Sequence, residues 1–327
     1  MKVERRTFLG GGIAALAGAA AAQGPTPFAG NPSEPFWPAK ERFPLWPGRP
    51  PGAPKAKIVP NWTMNNPPPN RELWIRGVGL PEVHVFRPAR PDGSALLALP
   101  GGGYGFLSVQ NEGLDAAQRF NGDRTTVFIL TYRLPDEGWS NRHLVPLQDA
   151  QRAMRLIRSR AGEFRIDPAR LGAIGFSAGG HLAADLAVSH AEHVYDRVDA
   201  ADDLPARPAY VGLIYPVINL IDPGPNTNSK RMLLGPNPAK AQVEARSPFL
   251  HVTKETPPSF VAHAMDDGTA PVRHSFQWIE AARQAGATVE AHLFAEGGHG
   301  FGLHLPADLP GSRWPDLFAL FLRKHGG

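Results

Sequence analysis

The sequence predicts an α/β protein in which a mostly parallel central sheet is flanked by helices and preceded by an extended, proline-rich N-terminal arm. From about residue 72, short apolar runs alternate with longer amphipathic ones, as strands and helices do in this fold class. Several of the apolar runs are continuous, which is typical of strands that are buried on both faces of a parallel sheet. Between residues 23 and 69, 14 of the 35 prolines exclude helices and central strands.

The elements follow from these patterns in chain order. The candidate strands are Val83–Arg87, Ala95–Leu99, Thr126–Tyr132, Leu171–Phe176, Tyr210–Tyr215, Ser259–His263 and Val289–Phe294. The candidate helices are Glu112–Phe120, Leu147–Ala161, Ala178–Ser189, Val272–Ala285 and Trp314–Lys324. Ligands of such sheets bind at the carboxyl ends of the strands, so we expect the chemistry there.

Residues 1–22 are typical of an export signal peptide of the twin-arginine kind. Lys2, Arg5 and Arg6 precede the uncharged run Thr7–Ala22, which ends in the small residues Ala20-Ala21-Ala22. That run has 16 residues, four of them glycine, and falls short of the roughly 20 apolar residues of a membrane span. We therefore expect a periplasmic or secreted protein without a membrane association after cleavage.

Residues 23–71 form the predicted arm, and residues 72–327 the predicted catalytic domain. The arm carries six aromatic residues, which favours an extended segment whose rings pack on the domain; a disordered stalk is the alternative. The six are Phe28, Phe36, Trp37, Phe43, Trp46 and Trp62.

Composition excludes several classes of function. The chain of 327 residues has no cysteine, which excludes disulfides, cysteine zinc clusters and a thiol nucleophile. A formal charge of +4 is small for this length, so no nucleic-acid partner is expected. The histidines lack metal-binding spacing, and no glycine-rich loop is followed by Gly-Lys-Ser/Thr. We expect neither a metal nor a cofactor.

A candidate nucleophile lies in the segment Gly175-Phe176-Ser177-Ala178-Gly179, between a predicted strand and a predicted helix. A serine at such a tight turn is strained and exposes its hydroxyl, and the flanking glycines remove side chains that would clash. The N-terminus of the following helix favours developing negative charge. The context predicts that Ser177 is the nucleophile.

A serine nucleophile needs a base and an acid that orients the base. Asp267 and His299 each lie just after a predicted strand, and serine, aspartate, histidine is the chain order of an α/β-hydrolase triad. Asp266, next to the favoured Asp267, is the alternative acid. Among the 12 histidines, His181 and His304 are the nearest competitors of His299.

A glycine-rich loop follows the strand Ala95–Leu99. Its bare backbone would let the N–H groups of Gly102 and Gly103, together with that of Ala178, form an oxyanion hole. Tyr104 in the same loop and Trp139 are the candidate substrate-binding residues. Core packing is the alternative for Trp139.

Five motifs resemble those of α/β-hydrolase esterases, and of the acetylxylan and feruloyl esterase-like group in particular. They are Pro100-Gly101-Gly102-Gly103-Tyr104, Tyr132-Arg133-Leu134-Pro135, Asp149-Ala150-Gln151-Arg152-Ala153, Gly175–His181 and Gly298-His299-Gly300-Phe301. The resemblance covers about residues 72–325 and implies the α/β-hydrolase fold, with Ser177 and His299 in the triad. Asp267 matches the family pattern D-x-x-V-P except that Ala270 replaces valine. Pro100 stands where relatives of the hormone-sensitive-lipase type carry histidine, which favours the carbohydrate-esterase branch.

The resemblance implies a serine carboxylic-ester hydrolase that deacetylates plant polysaccharide such as acetylxylan, through an acyl-enzyme. Its partner would be an acylated polysaccharide or oligosaccharide. A feruloyl esterase or a general short-chain carboxylesterase is the alternative within the same chemistry. A catalytically inactive carbohydrate-binding homologue is the alternative of a different class. The sequence does not predict the oligomeric state.

Overall fold

The computed structural model describes residues 37–65 and 72–326, and the α/β class predicted from the sequence is confirmed. The strands in this part of the chain are β1 (Arg42–Pro44), β2 (Asn61–Asn65), β3 (Glu72–Arg76), β4 (Glu82–Phe86), β5 (Ala95–Leu99), β6 (Leu107–Ser108), β7 (Thr126–Thr131), β8 (Leu171–Phe176), β9 (Val211–Ile214), β10 (Ser259–Ala264) and β11 (Val289–Phe294). The α-helices are α1 (Asp115–Gly122), α2 (Val145–Ser159), α3 (Ala161–Phe164), α4 (Ala178–Ser189), α5 (Ser229–Leu234), α6 (Lys240–Ala245), α7 (Arg273–Ala285) and α8 (Trp314–His325).

Among the described residues, eight strands form the main sheet, in the order β1-β4-β7-β5-β8-β9-β10-β11. The six strands from β7 to β11 in this order pair in parallel, whereas β4 and β1 join them antiparallel at one edge. All residues of β5, β7, β8, β9 and β10 are buried, which is why these strands read as continuous apolar runs. Because β5, β8 and β10 run in parallel, the loops that follow them meet at one edge of the sheet.

Two groups of helices cover this sheet. Helix α4 packs against β8, β9 and α2, so the segment after the predicted nucleophile is fixed by the core. Helix α1 packs on β7 and α8 on β10, and the two helices meet where the rings of Phe120 and Phe318 lie 5.4 Å apart. The predicted helix Glu112–Phe120 is in fact a π-helical turn, Gln110–Leu114, followed by α1.

The N-terminal segment contributes to the domain more than its proline content suggested. Strand β1 lies at the sheet edge, where Pro44 has no need of a backbone N–H, and β2 pairs with β3 in a second, three-stranded sheet with β6. The rings of Trp37, Phe43 and Trp46 are buried, and the indole N–H of Trp46 donates to Asp149 Oδ1 at 2.9 Å.

Several predictions fall outside the described residues. The export signal, the whole of the arm before Trp37, with Phe28 and Phe36, and the three prolines at 67–69 are among them. Within residues 37–65 and 72–326, no helix is both long enough and apolar enough to cross a membrane.

Candidate active site

Ser177 occupies the turn between β8 and α4. Its backbone has φ 53° and ψ −115°, a strained conformation for a residue with a side chain. The turn is tight because the backbones approach closely: a Cβ on Gly179 would lie 2.0 Å from the carbonyl oxygen of Leu99. The serine hydroxyl is thereby held at the N-terminus of α4, where the helix dipole stabilises negative charge.

The structure brings Ser177, His299 and Asp267 together in one hydrogen-bonded row. Ser177 Oγ lies 2.8 Å from His299 Nε2, and His299 Nδ1 lies 2.7 Å from Asp267 Oδ2. Since a carboxylate can only accept, Nδ1 carries the imidazole proton and Nε2 is free to accept the proton of the serine hydroxyl. This is the arrangement of a nucleophile, a general base and an orienting acid.

The carboxylate of Asp267 is buried and satisfied on both oxygens. Oδ1 accepts the backbone N–H groups of Thr269 and Ala270, at 2.8 and 2.9 Å. Burial alone would raise the pKa of Asp267, but the hydrogen bonds from His263 and His299 outweigh it and hold this pKa well below its ordinary value. Asp267 therefore remains ionised next to the imidazole.

His263 is a member of this network that the sequence analysis did not identify. Its Nε2 lies 3.1 Å from Asp267 Oδ2 and 2.9 Å from the carbonyl oxygen of Ala270, so Nε2 carries the proton and donates. Its Nδ1 accepts from Ser275 Oγ at 2.7 Å. The only sequence signal was a histidine at the end of strand β10, four residues before Asp267.

The residues that the sequence offered as alternatives to Asp267 and His299 have other partners in the structure. Asp266 accepts the backbone N–H of Gly298 at 2.8 Å and so fixes the loop that carries His299. His181 is buried between the hydroxyl of Tyr104 and the carbonyl of Arg246, at 2.7 and 2.9 Å. His304 pairs with Asp115 at 2.6 Å on the surface.

The glycine-rich loop runs alongside Ser177. A Cβ on Gly101 would lie 2.9 Å from the Cβ of Ser177, and one on Gly102, with φ 121°, would lie 2.1 Å from the carbonyl oxygen of Phe106. Among the described residues, no hydrogen bond uses the N–H of Gly102 or Gly103. These donors, with the N–H of Ala178 at the start of α4, are free to bind a substrate oxygen.

A cavity of about 570 Å³ opens in front of Ser177 and His299. Much of its wall is polar or charged, and Phe106 and Met232 add apolar surface. The polar wall residues besides Ser177, His299 and Glu112 are Glu72, Arg76, Ser108, Asn111, Asn226, Thr227, Asn228, Arg231 and Thr269.

Neither Tyr104 nor Trp139, the two predicted substrate-binding residues, lines this cavity. Tyr104 has φ 62°, which turns its ring into the core, where it is 1% exposed. Its hydroxyl donates to His181. Trp139 is packed under the guanidinium of Arg133, 4.8 Å from the ring centroid, and borders a separate cavity of about 470 Å³ next to the N-terminal segment. Core packing, the alternative for Trp139, describes it better.

Two further residues at the site escaped the sequence analysis. Glu112 is buried in the π-helical turn beside the glycine-rich loop. Tyr215 follows β9, and the centroid of its ring lies 5.1 Å from that of the His299 ring. Within the parts of the chain that the structure describes, no group of three or more histidine, aspartate or glutamate side chains is placed to hold a metal ion.

Comparison with known proteins agrees with this geometry. The model of the family described as BD-FAE matches residues 95–281, more than half of the chain. The chain belongs to the BD-FAE family. The acetyl ester-xyloside bifunctional hydrolase from Caldicellulosiruptor lactoaceticus has a similar structure, with a TM-score of 0.72 and 30% identity over 88% of this chain and 97% of that one. The expected α/β-hydrolase fold and the esterase branch are thereby confirmed.

Two curated proteins match this BD-FAE chain in sequence. Endo-1,4-beta-xylanase B of Butyrivibrio fibrisolvens is 35% identical over 205 residues, and acetylxylan esterase of Xylanibacter ruminicola is 31% identical over 234 residues. The matches cover 63% and 68% of this chain but 32% and 44% of those proteins. The chain thus matches less than half the length of these two relatives.

Proposed function

We propose that this protein is a serine carboxylic-ester hydrolase that removes acetyl groups from plant polysaccharide such as acetylxylan. The observation that carries the proposal is the row Ser177–His299–Asp267, with its hydrogen bonds of 2.8 and 2.7 Å. A serine that is hydrogen-bonded to a neutral imidazole, itself fixed by a buried carboxylate, is activated for attack on a carbonyl carbon.

In the first half of the reaction, Ser177 Oγ attacks the ester carbonyl while His299 Nε2 takes the hydroxyl proton. The carbonyl oxygen becomes an oxyanion, which the N–H groups of Gly102, Gly103 and Ala178 would stabilise. The tetrahedral intermediate collapses, the C–O bond to the sugar breaks, and His299 gives its proton to the leaving alcohol. An acetyl-serine remains.

In the second half, His299 takes a proton from a water molecule, whose oxygen attacks the acetyl carbon. Collapse of the second intermediate releases acetate and returns the proton to Ser177. In both halves the carboxylate of Asp267 keeps the imidazole in the correct tautomer and stabilises the imidazolium that forms.

A carbohydrate alcohol is supported by the walls of the cavity and by the relatives. Side chains that both donate and accept hydrogen bonds, such as Asn111, Asn226 and Asn228, suit the hydroxyl groups of a sugar. The names of the relatives, an acetylxylan esterase, a xylanase and an acetyl ester-xyloside hydrolase, support the same substrate class.

The proposed place of action is the periplasm or the outside of the cell. It rests on the basic residues and uncharged run of residues 1–22, and a polymeric substrate agrees with it. Replacing Arg5 and Arg6 by lysine should leave the precursor in the cytoplasm, whereas the unchanged chain should appear outside it in cleaved form. Uncleaved, unchanged protein in the cytoplasm would contradict export.

A panel of esters tests the substrate. It comprises the p-nitrophenyl esters of acetate, butyrate and octanoate, methyl ferulate, and acetylated xylan. The proposal predicts that acetate is preferred among the p-nitrophenyl esters and that acetate is released from the polymer. A preference for methyl ferulate would favour the feruloyl esterase alternative, and activity restricted to octanoate would contradict the proposal.

A further inference from the structure

Glu112 is a buried carboxylate that the triad mechanism does not use. It lies in the π-helical turn Gln110–Leu114, is 4% exposed, and contributes to the wall of the catalytic cavity. Its Oε2 accepts the backbone N–H of Gly101 at 2.5 Å. Gly101 directly precedes the two glycines of the proposed oxyanion hole, so this bond holds the loop that presents them.

The other carboxylate oxygen faces the opposite side of the site. Glu112 Oε1 accepts the hydroxyl of Tyr215 at 2.9 Å, and the same hydroxyl oxygen accepts the backbone N–H of Gly302 at 3.0 Å. The ring of Tyr215 also contacts His299 and Phe301, with centroids 5.1 and 4.5 Å apart. A continuous row of hydrogen bonds thus joins the glycine-rich loop that contains Gly101, Gly102 and Gly103, here named the oxyanion loop, to the loop that carries His299.

We propose that Glu112 is a positioning residue that holds the oxyanion loop and the His299 loop in their catalytic arrangement, the second through Tyr215. This inference rests on the proposed esterase function and deepens it. Glu112 acts through Gly101 and Tyr215, and takes no part in the transfer of the acyl group. Glu112 positions the two loops in its ionised form, because a carboxylate accepts from both Gly101 and Tyr215 at once. Hydrogen bonds to a charged acceptor are also stronger than those to a neutral one.

The surroundings of Glu112 place its ionisation near neutral pH. Burial raises its pKa to about 7, although the hydrogen bonds from Gly101 and Tyr215 and the nearby His299 lower it. The titratable groups that face it are Tyr215, Tyr132, His299 and Glu72. When Glu112 is protonated, its own O–H must donate, which reverses the bond to Tyr215 and weakens the bond from Gly101.

The pH dependence of kcat/KM for p-nitrophenyl acetate tests the proposal. The wild type needs an ionised Glu112 besides a neutral His299, so its kcat/KM should lose about a further tenfold as the pH falls through about 7, beyond the loss that any imidazole base gives. Glu112→Gln keeps an acceptor and a donor but cannot ionise. We expect it to lose about tenfold in kcat/KM at pH 8, because its hydrogen bonds lack the charge, and to approach the wild-type value at about pH 5, where Glu112 is itself neutral.

Tyr215→Phe gives a second, independent outcome. It removes a hydrogen bond that lowers the pKa of Glu112, so the acidic side of the profile should move to higher pH while KM changes little. A residue that only stabilised the fold would lower kcat equally at every pH and would leave the shape of the profile unchanged.

Glu137→Gln is the matched control. Glu137 also receives two backbone N–H groups, those of Gly77 and Val78 at 2.6 and 3.0 Å, and burial raises its pKa as well. It does not contribute to the catalytic cavity, so the wild-type profile should persist.

The results separate this proposal from the proposed function. Ester hydrolysis by the wild type, with a ratio of its kcat/KM to that of Glu112→Gln that stays constant from about pH 8 to about pH 5, or an unmoved profile in Tyr215→Phe, would overturn the role of Glu112 alone. A wild type that neither hydrolyses an ester nor reacts with a fluorophosphonate at Ser177 would overturn both.

Discussion

His299 Nδ1 lies 2.7 Å from Oδ2 of Asp267, a buried carboxylate that accepts four hydrogen bonds from the described residues. The neighbouring Asp266 is directed to a different partner, the backbone N–H of Gly298. Two adjacent acidic residues of one loop therefore have different roles. Asp267 orients the imidazole of His299, and Asp266 fixes the loop that carries His299.

Exchange of each acid for its amide separates these roles. Asp267→Asn should lower kcat for p-nitrophenyl acetate by about 10⁴-fold, because an amide can donate to Nδ1 and so stabilise the wrong tautomer. Asp266→Asn keeps an acceptor for Gly298 and should cost less than about tenfold. Steady-state kinetics on both variants provides the comparison, and equal losses would contradict the assignment of the acid.

Removal of the nucleophile should abolish turnover. Ser177→Ala should lower kcat by at least about 10⁴-fold and abolish labelling by a fluorophosphonate. Circular dichroism and thermal unfolding would establish that the variant is folded. A variant that is folded and retains most of the wild-type activity would exclude the serine mechanism.

We expect a methyl group added at Gly102 of the oxyanion loop to lower kcat. Gly102→Ala should lower kcat by about 10²–10³-fold, or about 2.7–4 kcal/mol of barrier, since the added Cβ would lie 2.1 Å from the carbonyl oxygen of Phe106 and would displace a donor. In Gly105→Ala the nearest atom to the Cβ is 3.5 Å away, and we expect a far smaller loss. Similar kcat values for the two variants would refute the proposed oxyanion hole.

A buried ion pair of the domain also binds the N-terminal segment, through Trp46. Arg133 and Asp149 are fully buried and 2.8 Å apart, and Asp149 also accepts from Trp46. Asp149→Ala should lower the free energy of unfolding by about 3–5 kcal/mol, because it leaves a buried guanidinium without its partner. Glu244→Ala, which breaks the exposed pair with Lys240, should cost under about 0.5 kcal/mol. Urea unfolding measures both, and equal effects would contradict the account of this contact.

The pKa of Glu112 also predicts a dependence of stability on pH, separate from activity. Because this pKa is raised from 4.5 to about 7, the native state binds more protons than the unfolded state between these values, and the contribution of Glu112 to stability falls as the pH rises through them. The stability of the wild type relative to Glu112→Gln should therefore fall by about 3 kcal/mol from pH 4 to pH 8. A difference that is independent of pH would show that Glu112 is not perturbed.

The parts of the fold that the sequence predicted are those with a local pattern. Strands such as Ala95–Leu99 and Leu171–Phe176 are apolar throughout, and the structure has them at the predicted bounds. Strands β1 and β6 have three and two residues and carry no periodicity. They exist because of pairing with distant segments, which a local pattern does not encode.

The same distinction holds at the site. Ser177, Asp267 and His299 stand in motifs just after predicted strands and in the chain order of a triad, so the sequence predicted that they lie close together. Tyr104 has an equally suggestive place in its loop, but its positive φ and its bond to His181, 77 residues away, turn it inward. Glu112, Tyr215 and His263 act through partners that only the folded chain brings near, and no motif marked them.

Release of acetate from acetylated xylan by the wild type and by Ser177→Ala is the most direct test of the account. We predict that the wild type releases acetate from the polymer and that the folded variant releases none above the rate without enzyme. No release of acetate by a wild type that hydrolyses other esters, or release by the variant at the wild-type rate, would contradict it.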